Sequence, residues 1–487
     1  MTAQASITKD SSQEKERIAL LTKAMASVRD AISLAEKDKT RPTFHFHTPA
    51  NWLNDPNGPI FHRGWFHLFY QFNPYGDGWG HMHWGHARSR NMVHWEHLPI
   101  ALWPSRSLGE EHVFSGSTFP DATGKPVILY TSIGKDREPE QWAAIPRKDD
   151  LVIWDKYPAN PILNLGAHGN IAIREWRDPF CFREADTTYM VVGGGAGGRG
   201  VVLLYRAEGG ELLRWKYIGI LFTHPDNNIA NIECPNIARL GERWILLTST
   251  YGKVESFVGR LDLTRCAFVS EKRAVLGEAS YASQLVTDAK GRCIEWAWCN
   301  PPHAPGWAGC MTLPSVLRIA TDGTLVRQPL PELATLREKR LQRKMQPLTG
   351  TLDLSDQING DALEIVLEIL PGNATTVGVR LRVSQEGGRS AEIRYEAQTR
   401  MLHIPERQPV PIPIMPGEDI LKLHIFVDKM MLDVYAADGM VSSVSTLRGV
   451  QLEDVGLHLF AEKGTATIRS LNVYRMKPAT FRLDMFR

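Results

Sequence analysis

The chain has 487 residues, 43% hydrophobic and 23% charged, enough apolar material for two or three packed domains and too little charge for wholesale disorder. Its 56 basic and 54 acidic residues leave a net charge of +2, which gives no electrostatic case for nucleic acid. There is no apolar h-region at the amino end, no bilayer-length apolar run and no CxxC among six cysteines, so the expectation is a cytoplasmic protein with reduced thiols and no membrane partner.

In chain order, Ile18, Leu21, Met25, Val28, Ile32 and Ala35 step by three and four. That spacing predicts an amphipathic helix over 13–39, inside an amino-terminal extension, residues 1–40. Its stripe suits packing on its own chain and also a partner helix, which leaves open a homo-oligomer through the helix or through the carboxy-terminal domain. After Arg41 short β-rich runs such as FHLFYQF, PVILYTSI and RWILLTST alternate with Gly, Pro and Asn turns. LATLREKRLQRK, 333–344, reads as helical, and a helical linker is expected over 336–345. Beyond it, ALEIVLEIL, GVRLRV and LKLHIFVDKMMLDVY show two-residue alternation, the pattern of a half-buried antiparallel sandwich over 346–487.

The region between these segments repeats. NMVHW, DLVIW and ELLRW end at Trp95, Trp154 and Trp215, 59 and 61 residues apart, and looser matches end at Phe268 and Val326 after further steps of 53 and 58. β-Rich units of this period predict propeller blades, five of them between 41 and 335. The expected fold is therefore all-β: a short amino-terminal helix, a five-bladed β-propeller and a carboxy-terminal β-sandwich.

Phase then separates function from turn chemistry. Asn54-Asp55-Pro56-Asn57-Gly58 is an ordinary turn composition. Yet Asp55, Ser115, Asp178, Glu233 and Tyr281 lie 40, 39, 37, 35 and 45 residues ahead of successive blade markers. Equivalent positions on innermost strands converge on the propeller axis, so these residues are expected to line one pocket. Converging carboxylates suit glycoside cleavage through a covalent intermediate, which needs a carboxylate nucleophile and a carboxylic acid. A third carboxylate can offset the positive charge of the transition state. Trp52, Trp79, Trp84, Phe114, Trp298 and Trp307 offer apolar faces to a sugar ring, while Asn54, Gln71 and Arg177 offer hydrogen bonds to its hydroxyls.

Competing signals are weaker. HMHWGH could place His81 and His83 on one strand face toward a metal, but a third ligand has no clear candidate, and neither a metal nor any other cofactor is expected. GGGAGGRG contains G-x-G-x-x-G, yet a strand rather than a helix follows it, which fits a hairpin turn and not a dinucleotide site. Asn373-Ala374-Thr375 is a glycosylation triplet that carries little meaning in a cytoplasmic chain.

At the same residues the sequence resembles a known family. WLNDPNG, FHLFYQFNP, WGHMHWGHARS, FSGS, WRDP, ECP, GWAGCMTLP and RQPLPELATLR are similar, in this order, to the motifs of glycoside hydrolase family 32, which contains invertases, inulinases and levanases. The resemblance implies a retaining β-fructofuranosidase acting on sucrose or short fructo-oligosaccharides without a cofactor. It implies Asp55 as nucleophile, Asp178 as transition-state stabiliser and Glu233 as acid/base. Asn54, Gln71, Trp79, Phe114, Ser115, Arg177, Tyr281 and Trp298 are the expected substrate-binding residues. The departures are Asn91 and Ser315 where Asp and Arg are usual, Asp433 where Glu is usual, a missing Asp-x-x-Gly lead-in before FSGS, and only Tyr281-Ala282 matching clearly in GEASYASQ. Fructosyl transfer through the same intermediate and a non-catalytic sugar-binding propeller are the alternatives.

Overall fold

The computed structural model describes residues 11–277, 279–413 and 419–485. The chain is all-β with few helices: a β-propeller followed by sandwich-like sheets. Innermost strands Asn51–His62, His112–Pro120, Ile173–Glu184, Glu233–Leu240 and Tyr281–Thr287 each begin an antiparallel run of strands, with Trp307–Ala308 added in parallel on the far side of Asn51–His62. The repeated aromatic and apolar markers begin or nearly begin the outermost strands Trp95–Leu102, Trp154–Lys156, Trp215–Thr223, Ala267–Gly277 and Leu325–Pro329. Trp95, Trp154, Trp215, Phe268 and Val326 are all buried there. The repeat in the sequence is thus a packing requirement: each outer strand needs one large apolar anchor against its own sheet.

One helix, Ser11–Ala35, precedes the propeller. Ala24, Val28 and Ala35 are fully buried, and Leu21, Met25 and Ile32 pack against the same core as Phe46, Tyr70 and Trp307. The apolar stripe is therefore taken up by its own chain, with Ile18 left 52% exposed. Polar contacts add to this docking: Glu14 bridges Arg17 and Arg147, and Ser107 donates its backbone N–H to Glu16 at 3.0 Å.

The expected helical linker at 336–345 is instead a short 3-10 helix, Pro331–Leu336, running into a long strand, Arg337–Asp353. Helix propensity is a weak prior, and pairing outweighs it here. This strand lies antiparallel along Gly456–Met476, its Leu341 packs on the sandwich core, and Arg337 makes a two-toothed bond to Glu364 while lying over the Tyr474 ring. Gly456–Met476 in turn pairs with Thr376–Val383 through its first part and with Ala362–Leu370 through its last. Lys463 and Gly464, at φ 51° and 154°, interrupt it between the two partners.

The sandwich is latched to the propeller by buried polar chemistry. The Asp428 carboxylate accepts backbone N–H bonds from Thr43, Phe44 and His45, and the His45 ring spans Asp428 at 2.9 Å and Asp433 at 2.8 Å. Near the carboxy end, Phe481–Arg482 pairs in parallel with Trp95 and Glu96 on the outermost strand of the first sheet.

Candidate active site

Each innermost strand carries an irregularity of the same kind at the same place. Opposite two steps of the neighbouring strand, three are taken from Leu53 to Pro56, Val113 to Gly116, Arg177 to Phe180, Glu233 to Asn236 and Tyr281 to Gln284. One extra residue in an antiparallel pair is a β-bulge, which bends the strand and re-aims side chains. Asp178, Cys234 and Ala282 take φ of 67°, 46° and 55° within these bulges. The N–H groups freed from the ladder find other acceptors: Asp178 donates to Thr131 Oγ1 at 3.0 Å, Cys234 to Asp178 Oδ2 at 2.9 Å and Ala282 to Ser249 Oγ at 3.0 Å. Proline follows Asp178 and Cys234 and has no N–H to strand in the gap.

The bulges bring their residues together around a cavity of about 290 Å³ lined by Trp52, Asn54, Asp55, Gln71, Trp79, Phe114, Ser115, Arg177, Asp178, Glu233, Cys234, Tyr281 and Trp298. Asp55 accepts bonds from Ser115 Oγ at 2.5 Å and Asn54 Nδ2 at 3.1 Å, and Trp52 holds Asn54 in place at 2.8 Å. Glu233 is bridged by the Arg177 guanidinium on one oxygen and by the Tyr281 hydroxyl on the other. Cys234 Sγ lies 3.6 Å from Asp55 Oδ2 and 3.5 Å from Asp178 Oδ2, between those two carboxylates, and Glu233 lines the same cavity. Burial pushes the Asp178 carboxyl up to about 7 although the Arg177 guanidinium pulls it down. Burial also raises Asp55, opposed by its bonds from Ser115 and Asn54. Trp79, 56% exposed, stands at the mouth.

Residues 45–329 match the profile of the glycosyl hydrolases family 32 N-terminal domain, and residues 332–475 match that of the family 32 C terminal domain. The chain belongs to glycoside hydrolase family 32. It is 31% identical to a sucrose-6-phosphate hydrolase of Escherichia coli, covering 88% of this chain and 93% of the relative. It is 29% identical to the levanase of Bacillus subtilis, over 94% of this chain and 73% of that one. The fold superposes on fructan 1-exohydrolase IIa of Cichorium intybus with a TM-score of 0.81, at 22% identity, over 91% of this chain and 98% of that structure.

In this family 32 chain the pocket gathers the eleven residues expected to be catalytic or substrate-binding, Asp55, Asp178, Glu233, Asn54, Gln71, Trp79, Phe114, Ser115, Arg177, Tyr281 and Trp298, together with Trp52. Two of the aromatic candidates lie elsewhere. Trp84 and Trp307 are buried in the core, their indole N–H groups bonded to Phe114 O and Asp38 Oδ2. Cys234 lines the pocket without having been singled out, because two-residue alternation puts it on the face opposite Glu233; only the bulge brings both inward. His81 and His83 do not share a strand face: His83 opens a strand while His81 sits in the loop before it at φ 46°. Among the described residues no group of three His, Cys, Asp or Glu side chains is placed to hold a metal. No described helix is long and apolar enough to cross a membrane.

Proposed function

We propose that the enzyme hydrolyses β-fructofuranosides, sucrose or short fructo-oligosaccharides, with retention of configuration. The observation that carries this reading is the convergence of three carboxylates in one pocket, each in a different hydrogen-bonding environment. Asp55, oriented by Asn54 and Ser115, attacks the anomeric carbon as nucleophile. Glu233 protonates the departing oxygen and then takes the proton from water, with Arg177 and Tyr281 each bonded to one of its oxygens and fixing the carboxyl's orientation. Asp178 offsets the charge of the oxocarbenium-like transition state. Trp298 lines the pocket and offers an apolar ring face to the sugar. Among the described residues Arg177 is the one cation that lines the pocket, and it is already engaged by Glu175 and Glu233, so the pocket suits a fructosyl unit that bears no phosphate.

We further infer five blades and a cytoplasmic address. Five is supported by the innermost strands, which touch in cyclic order so that Tyr281–Thr287 returns to Asn51–His62. The cytoplasm suits six cysteines that are all free thiols.

The test uses Glu233→Ala on two substrates. General acid assistance is worth about 10²–10⁴-fold, and fluoride departs without it. The variant should therefore be badly impaired on sucrose and far less on β-fructosyl fluoride. Azide needs no base, so it should restore turnover and give fructosyl azide of retained β-configuration. An α-azide, or equal loss on both substrates, would overturn the assignment.

A further inference from the structure

We propose that Asp38, just beyond the N-terminal helix and outside the residues matched by the family profile, is a positioning residue for the leaving-group side of the active site. The inference rests on the hydrolase reading above and adds a determinant of how the aglycone is held.

Asp38 makes more bonds than a surface turn requires. Its Oδ2 accepts the backbone N–H of Ala304 and the indole N–H of Trp307, both at 2.7 Å, while Oδ1 accepts the N–H and hydroxyl of Thr40 at 2.8 and 2.7 Å. It thus fixes the 304–307 turn against the last turn of the helix. Contact there is close: a Cβ on Gly306, at φ 108°, would lie 2.9 Å from both Ala35 N and the Leu34 side chain.

Gly306 is the next link. Its N–H donates to Asp77 Oδ2 and its carbonyl accepts from Asn51 N, both at 2.8 Å. Asp77 belongs to the loop that carries Trp79, and this loop is tied to the nucleophile's strand by Trp52 N donating to Gly76 O at 3.0 Å and Asn51 Nδ2 to Pro74 O at 2.7 Å. Beyond Trp52 come Asn54 and Asp55. One carboxylate outside the propeller therefore holds the 304–307 turn, and through Gly306 that turn holds the loop that carries Trp79 to the pocket.

Depth within the pocket says which part of the substrate feels this. Asp178 is buried, Glu233 retains 27% side-chain exposure and Trp79 stands 56% exposed at the rim. A fructosyl ring must reach Asp55, so the group leaving from Glu233 extends outward toward Trp79. Loosening the loop should weaken the grip on that group and leave the bond-breaking residues in place.

The experiment compares sucrose with β-fructosyl fluoride, whose leaving group is a single atom. Asp38→Ala should raise KM for sucrose about 5- to 10-fold, with kcat/KM on the fluoride changed by less than about twofold, the scale of a mispositioned binding group rather than a lost catalytic one. Asp77→Asn, which weakens a single acceptor at the next link, should give the same split in milder form and keeps the test open if Asp38→Ala folds poorly. The double variant should be no worse than the worse single, because both act through one turn. A general structural role would depress both substrates alike, and that result, or additive effects in the double variant, overturns the proposal. Failure of the wild-type enzyme to release fructose from either substrate would instead sink the hydrolase reading.

Discussion

Replacing Asp178 by asparagine should stabilise the free enzyme while abolishing its activity. The carboxyl is raised from an ordinary 3.8 to about 7, burial outweighing the attraction of Arg177. For a group whose folded value is raised, the stabilising proton is fully in place below the unfolded value and is lost as pH climbs through the folded one. At about 1.4 kcal/mol per unit, ionised Asp178 therefore weighs about 4 kcal/mol against the fold above neutrality and about 2 kcal/mol near pH 5. Asparagine carries no charge and keeps one oxygen for the Cys234 N–H. With an unfolding entropy of about 2.1 cal/mol/K per residue across the chain, the variant should melt about 4 °C higher at pH 8 and about 2 °C higher at pH 5. Calorimetry at the two pH values, with fructose release from sucrose in parallel, reads both halves of the expectation. A variant that melts below wild type at pH 8, or an advantage that fails to grow with pH, refutes the reasoning.

Two further perturbations test charges around the site and the latch. Arg177→Gln removes a guanidinium whose Nε lies 4.0 Å from Asp178 Oδ2 and which lowers that carboxyl. The acid limb of kcat/KM should move toward alkaline pH by at least about one unit, and an unmoved limb would show that Asp178 is not the group titrating there. At the latch, burial alone would lower His45, but Asp433 and Asp428 raise it to about 9, so its contribution is complete below about pH 6.5 and lost as pH rises through 9. His45→Gln should cost about 3 kcal/mol near neutrality and flatten the fall in melting temperature between about pH 7 and 10; a wild-type melting temperature already flat over that interval would contradict a charged His45.

The parts of the fold legible in the sequence are those fixed by periodic burial. Trp95, Trp154, Trp215 and Phe268 recur because each outer strand needs a buried anchor, and their spacing puts Asp55, Asp178 and Glu233 in common phase. The 333–344 segment was illegible for a definite reason. Leu, Arg, Lys and Gln are good helix formers, while the partner that makes Arg337–Asp353 a strand lies more than a hundred residues later in Gly456–Met476. The helix stripe was visible, but its partner was not, since Phe46, Tyr70 and Trp307 join that core only once the first and last parts of the propeller meet. Trp84 and Trp307 were misplaced for a related reason: ring size and a nearby motif do not say which strand face a residue occupies, and both rings face inward.

What alternation in the sequence could not express is the bulge, and the bulge is where the chemistry is built. A regular strand would point Asp55 and Asn54, or Glu233 and Cys234, to opposite faces; one inserted residue brings neighbours into the same pocket. The price is local. Non-glycine residues at φ of 67°, 46° and 55° cost about 1–3 kcal/mol each where nothing compensates, and a buried ionised Asp178 adds to that. The compensation is placed away from the axis. Phe481–Arg482 pairs with the outer strand at Trp95, Asp428 collects three backbone N–H groups and a histidine, and the amino-terminal helix buries Ala24, Val28 and Ala35 against the first sheet. None of these features needs to change if the pocket is altered. It follows that substitutions at the latch should lower stability with little effect on substrate discrimination, whereas substitutions at Asp178 should trade activity for stability. The two sets of residues divide the work of one fold because strain and charge can be concentrated at the axis only while the perimeter remains regular and paired.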